Sequence, residues 1–249
     1  MSRLGGGTLW RMALRSNLLQ ATWNFERQQG VGWAWSLKPA IDRLYPGRAE
    51  RCERLAEHTA YFNTQPTLSA LALGAAAGLE ERRAAGSGPD AEGVARVKAV
   101  LGSALAALGD RLFWFTLRPF AACLGVALAF GGSRWGALAM WVCYNLVHLG
   151  VRFRGVGWGY RQGPAVLAGG LRRRLEQVAG ALCDAGAALV GVVVAFALVP
   201  GGEPQPLSFE AALAGGLVMG LIAAQRPRPS PTQWALGVGA LCVAAAWLR

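Results

Sequence analysis

Short apolar runs alternate with polar knots over the first part of the chain, and longer apolar runs take over from about residue 115 onward. In the first part, the stretches 31–37, 67–79 and 97–108 are apolar and rich in small residues. None reaches the roughly 20 residues a helix needs to cross a hydrocarbon core of about 30 Å. Runs of this length make either core helices of a soluble domain or re-entrant and amphipathic membrane elements. Between two of them, Glu80-Glu81-Arg82-Arg83 and Gly86-Ser87-Gly88-Pro89-Asp90 predict a solvated turn. In the second part, 120–131 and 135–151 flank Gly131-Gly132-Ser133-Arg134, which predicts a tight turn between two helices. The stretch 178–199 is the most span-like, broken only by Asp184, and 209–224 and 233–248 are shorter but nearly uncharged. Proline-rich loops fall at 200–206 and 226–231. Strand-like alternation is sustained nowhere. The chain therefore reads as all-α: re-entrant or amphipathic helices over 1–118, then a transmembrane region over 119–249 with roughly four or five spans.

Composition sharpens this. Charged residues make up 16% of the chain and hydrophobic ones 53%, against about 25% charged in a soluble domain. The net charge of +11 would suit nucleic acid, but no recognition motif accompanies it. The arginines instead form clusters between apolar runs, such as Arg152/Arg154/Arg161 and Arg172-Arg173-Arg174, as the positive-inside rule predicts. Nucleic acid is therefore not an expected partner. Five cysteines are scattered singly, which fits neither a disulfide framework nor a zinc site. The first residues show no secretory signal. No phosphate loop, nucleophile elbow or metal-binding helix motif occurs, so neither a cofactor nor catalysis is expected.

Candidate chemistry lies in the polar knots. Asn63, Thr64 and Gln65 precede Pro66, which lacks an N–H and disfavours helix at the residue before it. A break there exposes backbone groups together with amides that both donate and accept; alternatively, Asn63 caps the following helix. Asp110, after Gly109, is either a substrate-facing carboxylate neutralised by Arg111 or Arg118, or an N-cap. Asn24 and Glu26 sit within one turn of an expected helix, where packing or solvation competes with substrate contact. Asp184, inside a span, is a candidate interhelix bond.

These blocks together resemble one family. Leu14-Arg15-Ser16-Asn17 through Trp23-Asn24-Phe25-Glu26-Arg27, then Pro39-Ala40-Ile41-Asp42-Arg43-Leu44-Tyr45-Pro46, Tyr61-Phe62-Asn63-Thr64-Gln65-Pro66 and Gly109-Asp110-Arg111-Leu112-Phe113-Trp114 follow in order and spacing. They are similar to the IID subunit of the mannose/fructose/sorbose phosphotransferase sugar permeases, from about Ala13 to about Gly163. The resemblance implies a multi-pass subunit of the bacterial cytoplasmic membrane that pairs with a IIC subunit, in higher-order IIC–IID assemblies, to move a hexose. Separate soluble IIA and IIB proteins phosphorylate that sugar, so His58 is expected on a helix surface rather than as a phosphate carrier. Glu80 and Glu81 are likewise expected at the surface. The substrate-binding set it implies is Asn63, Thr64, Gln65 and Asp110, with Asn24 and Glu26 behind them.

The chain also departs from the family's pattern. Ser103-Ala104-Leu105-Ala106-Ala107 replaces a glycine- and proline-bearing run, removing helix breakers that cost about 1 and about 3 kcal/mol. Arg111 stands where relatives carry a small residue. Both changes leave room for an alternative: a divergent, non-transporting membrane scaffold or receptor that retains the IID fold.

Overall fold

The computed structural model describes residues 4–167 and 170–198. The stretches 209–224 and 233–248 and both proline-rich loops lie outside these residues. Residues 1–193 form one compact unit; nearly all of a second, beginning at Val194, lies outside the described residues.

Among the described residues the protein is all-α, with two isolated β-bridges and no strand. The helices are α1 (Gly6–Arg15), α2 (Gly30–Leu44), α3 (Arg48–His58), α4 (Ser69–Ala84), α5 (Ala91–Gly109), α6 (Arg118–Phe130), α7 (Gly136–Gln162) and α8 (Gly170–Leu198). The tight turn expected at 131–134 separates α6 from α7, with Gly132 at φ 82°.

Helix α4 is the centre of the unit. Its Ala, Gly and Leu residues leave no polar face over the first three turns, and a helix apolar all round must be buried. Nearly every residue from Ser69 to Glu80 is buried. Glycines bring α7 against it: a Cβ at Gly74 would overlap the carbonyl of Val156, and one at Gly159 that of Leu71. Trp33, Leu37 and Ile41 of α2 and Leu101 and Leu105 of α5 complete the core.

Helix α4 runs through Glu80-Glu81-Arg82-Arg83 before the chain turns at Gly86 (φ 73°). Asp90 then caps α5, its Oδ1 accepting the Gly93 N–H at 2.8 Å. From Ala91 to Phe130 the chain is one helix of 40 residues, the one described helix long and apolar enough to cross a membrane. Its middle, Asp110–Leu117, is a π-helix. Pro119 supplies no N–H to the preceding turn, and the loosened turn accommodates it. The Thr116 hydroxyl donates to the Arg111 carbonyl at 2.7 Å, satisfying a group of that turn. Asp110 thus lies inside a continuous helix rather than at an N-cap.

Candidate functional site

Two irregular backbone segments interrupt the helices and lie alongside each other: 19–29, before α2, and 59–68, between α3 and α4. Buried irregular backbone must find hydrogen bonds outside a helix, and here each segment supplies the other. The Gln29 N–H donates to Phe62 O at 2.8 Å, and the Phe62 N–H to Arg27 O at 3.4 Å. The buried side-chain amide of Gln29 adds a double bond to Thr64. Its Nε2 donates to Thr64 O at 2.7 Å, and its Oε1 accepts the Thr64 N–H at 3.1 Å. Glycines seat the pair on α2: a Cβ at Gly30 would come within 2.5 Å of the carbonyls of Thr59 and Ala60, and one at Gly32 would overlap Leu19 O.

Gln65 is buried and turned onto the 66–68 turn ahead of α4. Its Oε1 accepts the N–H groups of Thr67 (2.8 Å) and Leu68 (3.0 Å). The capping role weighed for Asn63 therefore passes to Gln65, at the 66–68 turn leading into α4; the N-cap of α4, Leu68, has no side-chain bond, and Asn63 is exposed. Thr64 is buried, and among the described residues its Oγ1 has no hydrogen-bond partner. Asp110 is half-buried, and among the described residues neither Arg111 nor Arg118 pairs with it. Arg118 lies instead over the Trp114 ring, 5.2 Å from its centroid. Gly109 brings the two knots together, because a Cβ there would overlap the Gln65 side chain. Gly102, one face along α5, receives the ring of Phe62 and the Asn63 carbonyl.

Asn24 and Glu26 do not lie on a helix. They occupy a tight exposed loop in which the Asn24 Oδ1 accepts the Arg27 N–H at 2.8 Å and Gln28 takes φ 53°. The Gly30 N–H meets the Arg27 carbonyl, so α2 begins only after the loop closes. Glu26 sits 3.8 Å from Arg27, and Phe25 projects with 89% of its surface exposed.

The sequence profile of the PTS system mannose/fructose/sorbose family IID component matches residues 3–199. The chain belongs to this family. It is 41% identical over 190 residues to the mannose-specific EIID component of Escherichia coli K12, 38% over 191 to the sorbose-specific EIID component of Klebsiella pneumoniae, and 36% over 197 to the fructose permease IID component of Bacillus subtilis 168. These matches cover 75%, 76% and 79% of this chain and 64%, 69% and 70% of the relatives. The fold is similar to a chain of the cryo-EM complex of the mannose transporter ManYZ with microcin E492, with TM-score 0.62, 29% identity, and 100% of this chain and 98% of that one covered. A second solved structure, described as a membrane protein, matches at TM-score 0.71 and 29% identity, covering 98% and 97%.

Within this IID chain two expected surface residues are buried. Glu80 is fully enclosed, and its Oε2 accepts the Tyr45 hydroxyl at 2.6 Å. His58, also buried, takes the Trp33 indole N–H on Nδ1 at 3.3 Å. An indole N–H only donates, which assigns the imidazole proton to Nε2, facing Glu80 Oε1 at 3.3 Å. Arg83 binds Glu57 at 2.6 Å and reaches Glu80 at 3.5 Å. Burial alone would raise the Glu80 pKa; the hydrogen bonds from His58 and Tyr45 and the nearby charges outweigh it and hold it below its ordinary 4.5. Burial, then the hydrogen bond and charge of Glu80, push the Tyr45 hydroxyl well above its ordinary value. Reading the sequence locally misses this cluster because its members come from three separate helices, α2 (with Tyr45 at its end), α3 and α4. The only signal is that Glu80 continues the apolar run of α4 at helical spacing from Ala76 and Ala77. Gln29 is missed as well, since nothing local separates it from Gln28.

Proposed function

We propose that this chain is the IID-type membrane subunit of a mannose-type phosphotransferase permease. It pairs with a IIC-type subunit, in higher-order assemblies, to carry a hexose across the bacterial cytoplasmic membrane. Separate IIA and IIB proteins phosphorylate the sugar; the subunit itself is not phosphorylated and carries no catalytic group. Family membership, the membrane-protein neighbours and the 40-residue apolar helix support this reading. The chain spans 64% of the length of its Escherichia coli relative.

The observation that carries the site is the paired break in the helices. Irregular backbone within a membrane bundle is tolerated where protein buries it or where it lines a cavity, and transporters bind substrate at such discontinuities. Here the break bears a buried Thr64 hydroxyl that has no partner among the described residues, and Gly109 places Gln65 beside the helical turn that carries Asp110. Thr64, Asn63 and Asp110 form the sugar-facing set. Gln65 shapes the break through its cap, and Asn24 and Glu26 hold the adjoining loop. Uptake of labelled hexose by Asn63→Ala and Asp110→Ala at matched expression tests this; unchanged uptake removes both residues from the site.

One observation favours the second reading, a non-transporting scaffold or receptor with the IID fold. The helix is regular from Ala91 through Ala104 to Gly109, where a moving element would be expected to yield. A membrane-bound chain that binds neither a IIC-type partner nor hexose would establish that alternative.

A further inference from the structure

Helix α7 turns one stripe of its surface toward an open groove beside α1. Val142, Leu146, Leu149 and Phe153 recur at the three- and four-residue spacing of a single helix face. Two adjoining hollows of about 760 and about 480 Å³ share Trp10, Phe153 and Arg154 as walls. Trp10 of α1 stacks on Phe153 with ring centroids 4.8 Å apart. The floor is open at Gly150 and Gly157, where a Cβ would meet nothing within 4 Å. Leu146 is 74% exposed, so apolar surface here awaits an apolar cover.

The charge along the groove is one-sided. Among the described residues no acidic side chain lines either hollow. Arg154 and Arg161 are exposed, and neither pairs with a carboxylate among the described residues. At about 1.5 Å per residue the apolar stripe from Val142 to Phe153 is about 16 Å long, close to one leaflet of a core about 30 Å thick. Arg154 comes directly after it, and Arg161 two turns further, about 10 Å along the axis. A long apolar trough one leaflet deep that ends in two exposed guanidinium groups matches an acyl chain joined to a phosphate.

We propose that the α1–α7 groove is a binding site for an anionic phospholipid. The acyl chain lies along Val142 to Phe153 against Trp10, and the phosphodiester is held by Arg154 and Arg161, whose planar forks suit phosphate oxygens. A zwitterionic lipid would cover the stripe, but its headgroup cation would oppose the arginines. The site rests on the membrane location in the preceding reading and not on sugar transport.

The test uses the full-length chain purified in a neutral detergent. Phosphatidylglycerol and phosphatidylcholine with the same acyl chains are added separately, and retained lipid is counted by native mass spectrometry alongside the melting temperature. Phosphatidylglycerol is expected to stay bound and raise the melting temperature, while phosphatidylcholine and inorganic phosphate do neither. Arg154→Gln and Arg161→Gln should each weaken phosphatidylglycerol binding about fivefold. Gly157→Leu, which fills the floor and keeps both arginines, should weaken it as well. Equal retention of the two lipids, full retention by the double arginine variant, or a matching shift from phosphate alone would each overturn the proposal. So would a protein subunit that co-purifies over the groove and leaves no lipid bound. Hexose uptake lost in a variant that still retains phosphatidylglycerol bears on the permease reading alone.

Discussion

Gln29 and Thr64, 35 residues apart in sequence, are joined edge to edge: one side-chain amide satisfies both the N–H and the C=O of one backbone unit. Gln29→Leu should therefore strand two buried backbone groups at once. With a cost of about 1–3 kcal/mol for each unsatisfied group, the loss of stability should be about 2–6 kcal/mol. Thermal unfolding of the detergent-solubilised variant measures it. Gln29→Ala should behave similarly, with a cavity added.

Thr64→Val separates packing from binding. Among the described residues the buried Thr64 hydroxyl has no partner, so an isosteric methyl should leave the melting temperature unchanged or raise it slightly. Hexose uptake should nevertheless fall, with the apparent KM rising, because the hydroxyl is proposed to face the sugar. A Thr64→Val chain with wild-type KM would show that the hydroxyl plays no part in recognition.

Gly109 and Gly180 are both helical glycines, yet they should respond oppositely to alanine. A Cβ at Gly109 would overlap the side chain of Gln65, whereas at Gly180 it would meet nothing within 4 Å. Gly109→Ala should destabilise by about 1–3 kcal/mol through overpacking and disturb the Gln65 cap. Gly180→Ala should be neutral or gain up to about 1 kcal/mol. Paired unfolding curves read the difference.

The Glu80 cluster predicts a pH dependence at both ends. Because the folded state holds the Glu80 carboxyl below 4.5, its contribution is present above that value and is lost as pH falls through the lower folded pKa. The Tyr45 hydroxyl is shifted the other way, so its contribution is complete below its ordinary pKa of 10.0 and fades as pH rises beyond it. Melting temperatures across pH should drop below about 4.5 and above about 10. Glu80→Gln should flatten the acidic drop and cost about 1–3 kcal/mol at neutral pH, since Tyr45 and His58 lose a charged acceptor.

Local signals made much of the fold legible. The lack of alternation, the apolar runs and the turns at Gly86–Asp90 and Gly131–Arg134 all reflect interactions within a few residues. The site was legible as a neighbourhood rather than as roles. Pro66 marked the break, but whether Asn63 or Gln65 capped the turn into α4 depends on which amide reaches back, and one residue of register decides that. Asn24 and Glu26 read as helical because nothing nearby announces the positive φ of Gln28. Glu80 and His58 read as surface residues because charge is usually solvated. Their burial depends on Tyr45 and Trp33, brought from 35 and 25 positions away. The π-turn at Asp110 lies beyond any spacing rule, since its cause is the proline nine residues on.

Helices α4 and α7 touch backbone to backbone through Gly74 on one side and Gly159 on the other. Such a joint works like meshed teeth: a small sliding motion drives a Cα into a carbonyl, so displacement comes only in steps of a helical turn, about 5.4 Å. The two helices must then travel as one body in any rearrangement the subunit undergoes. Compliance is left to the non-helical chain at either end of α4, residues 59–68 and 85–90, and the first of these carries the Asn63–Gln65 knot. The segment proposed to face the sugar is thus also the one through which any such motion would pass.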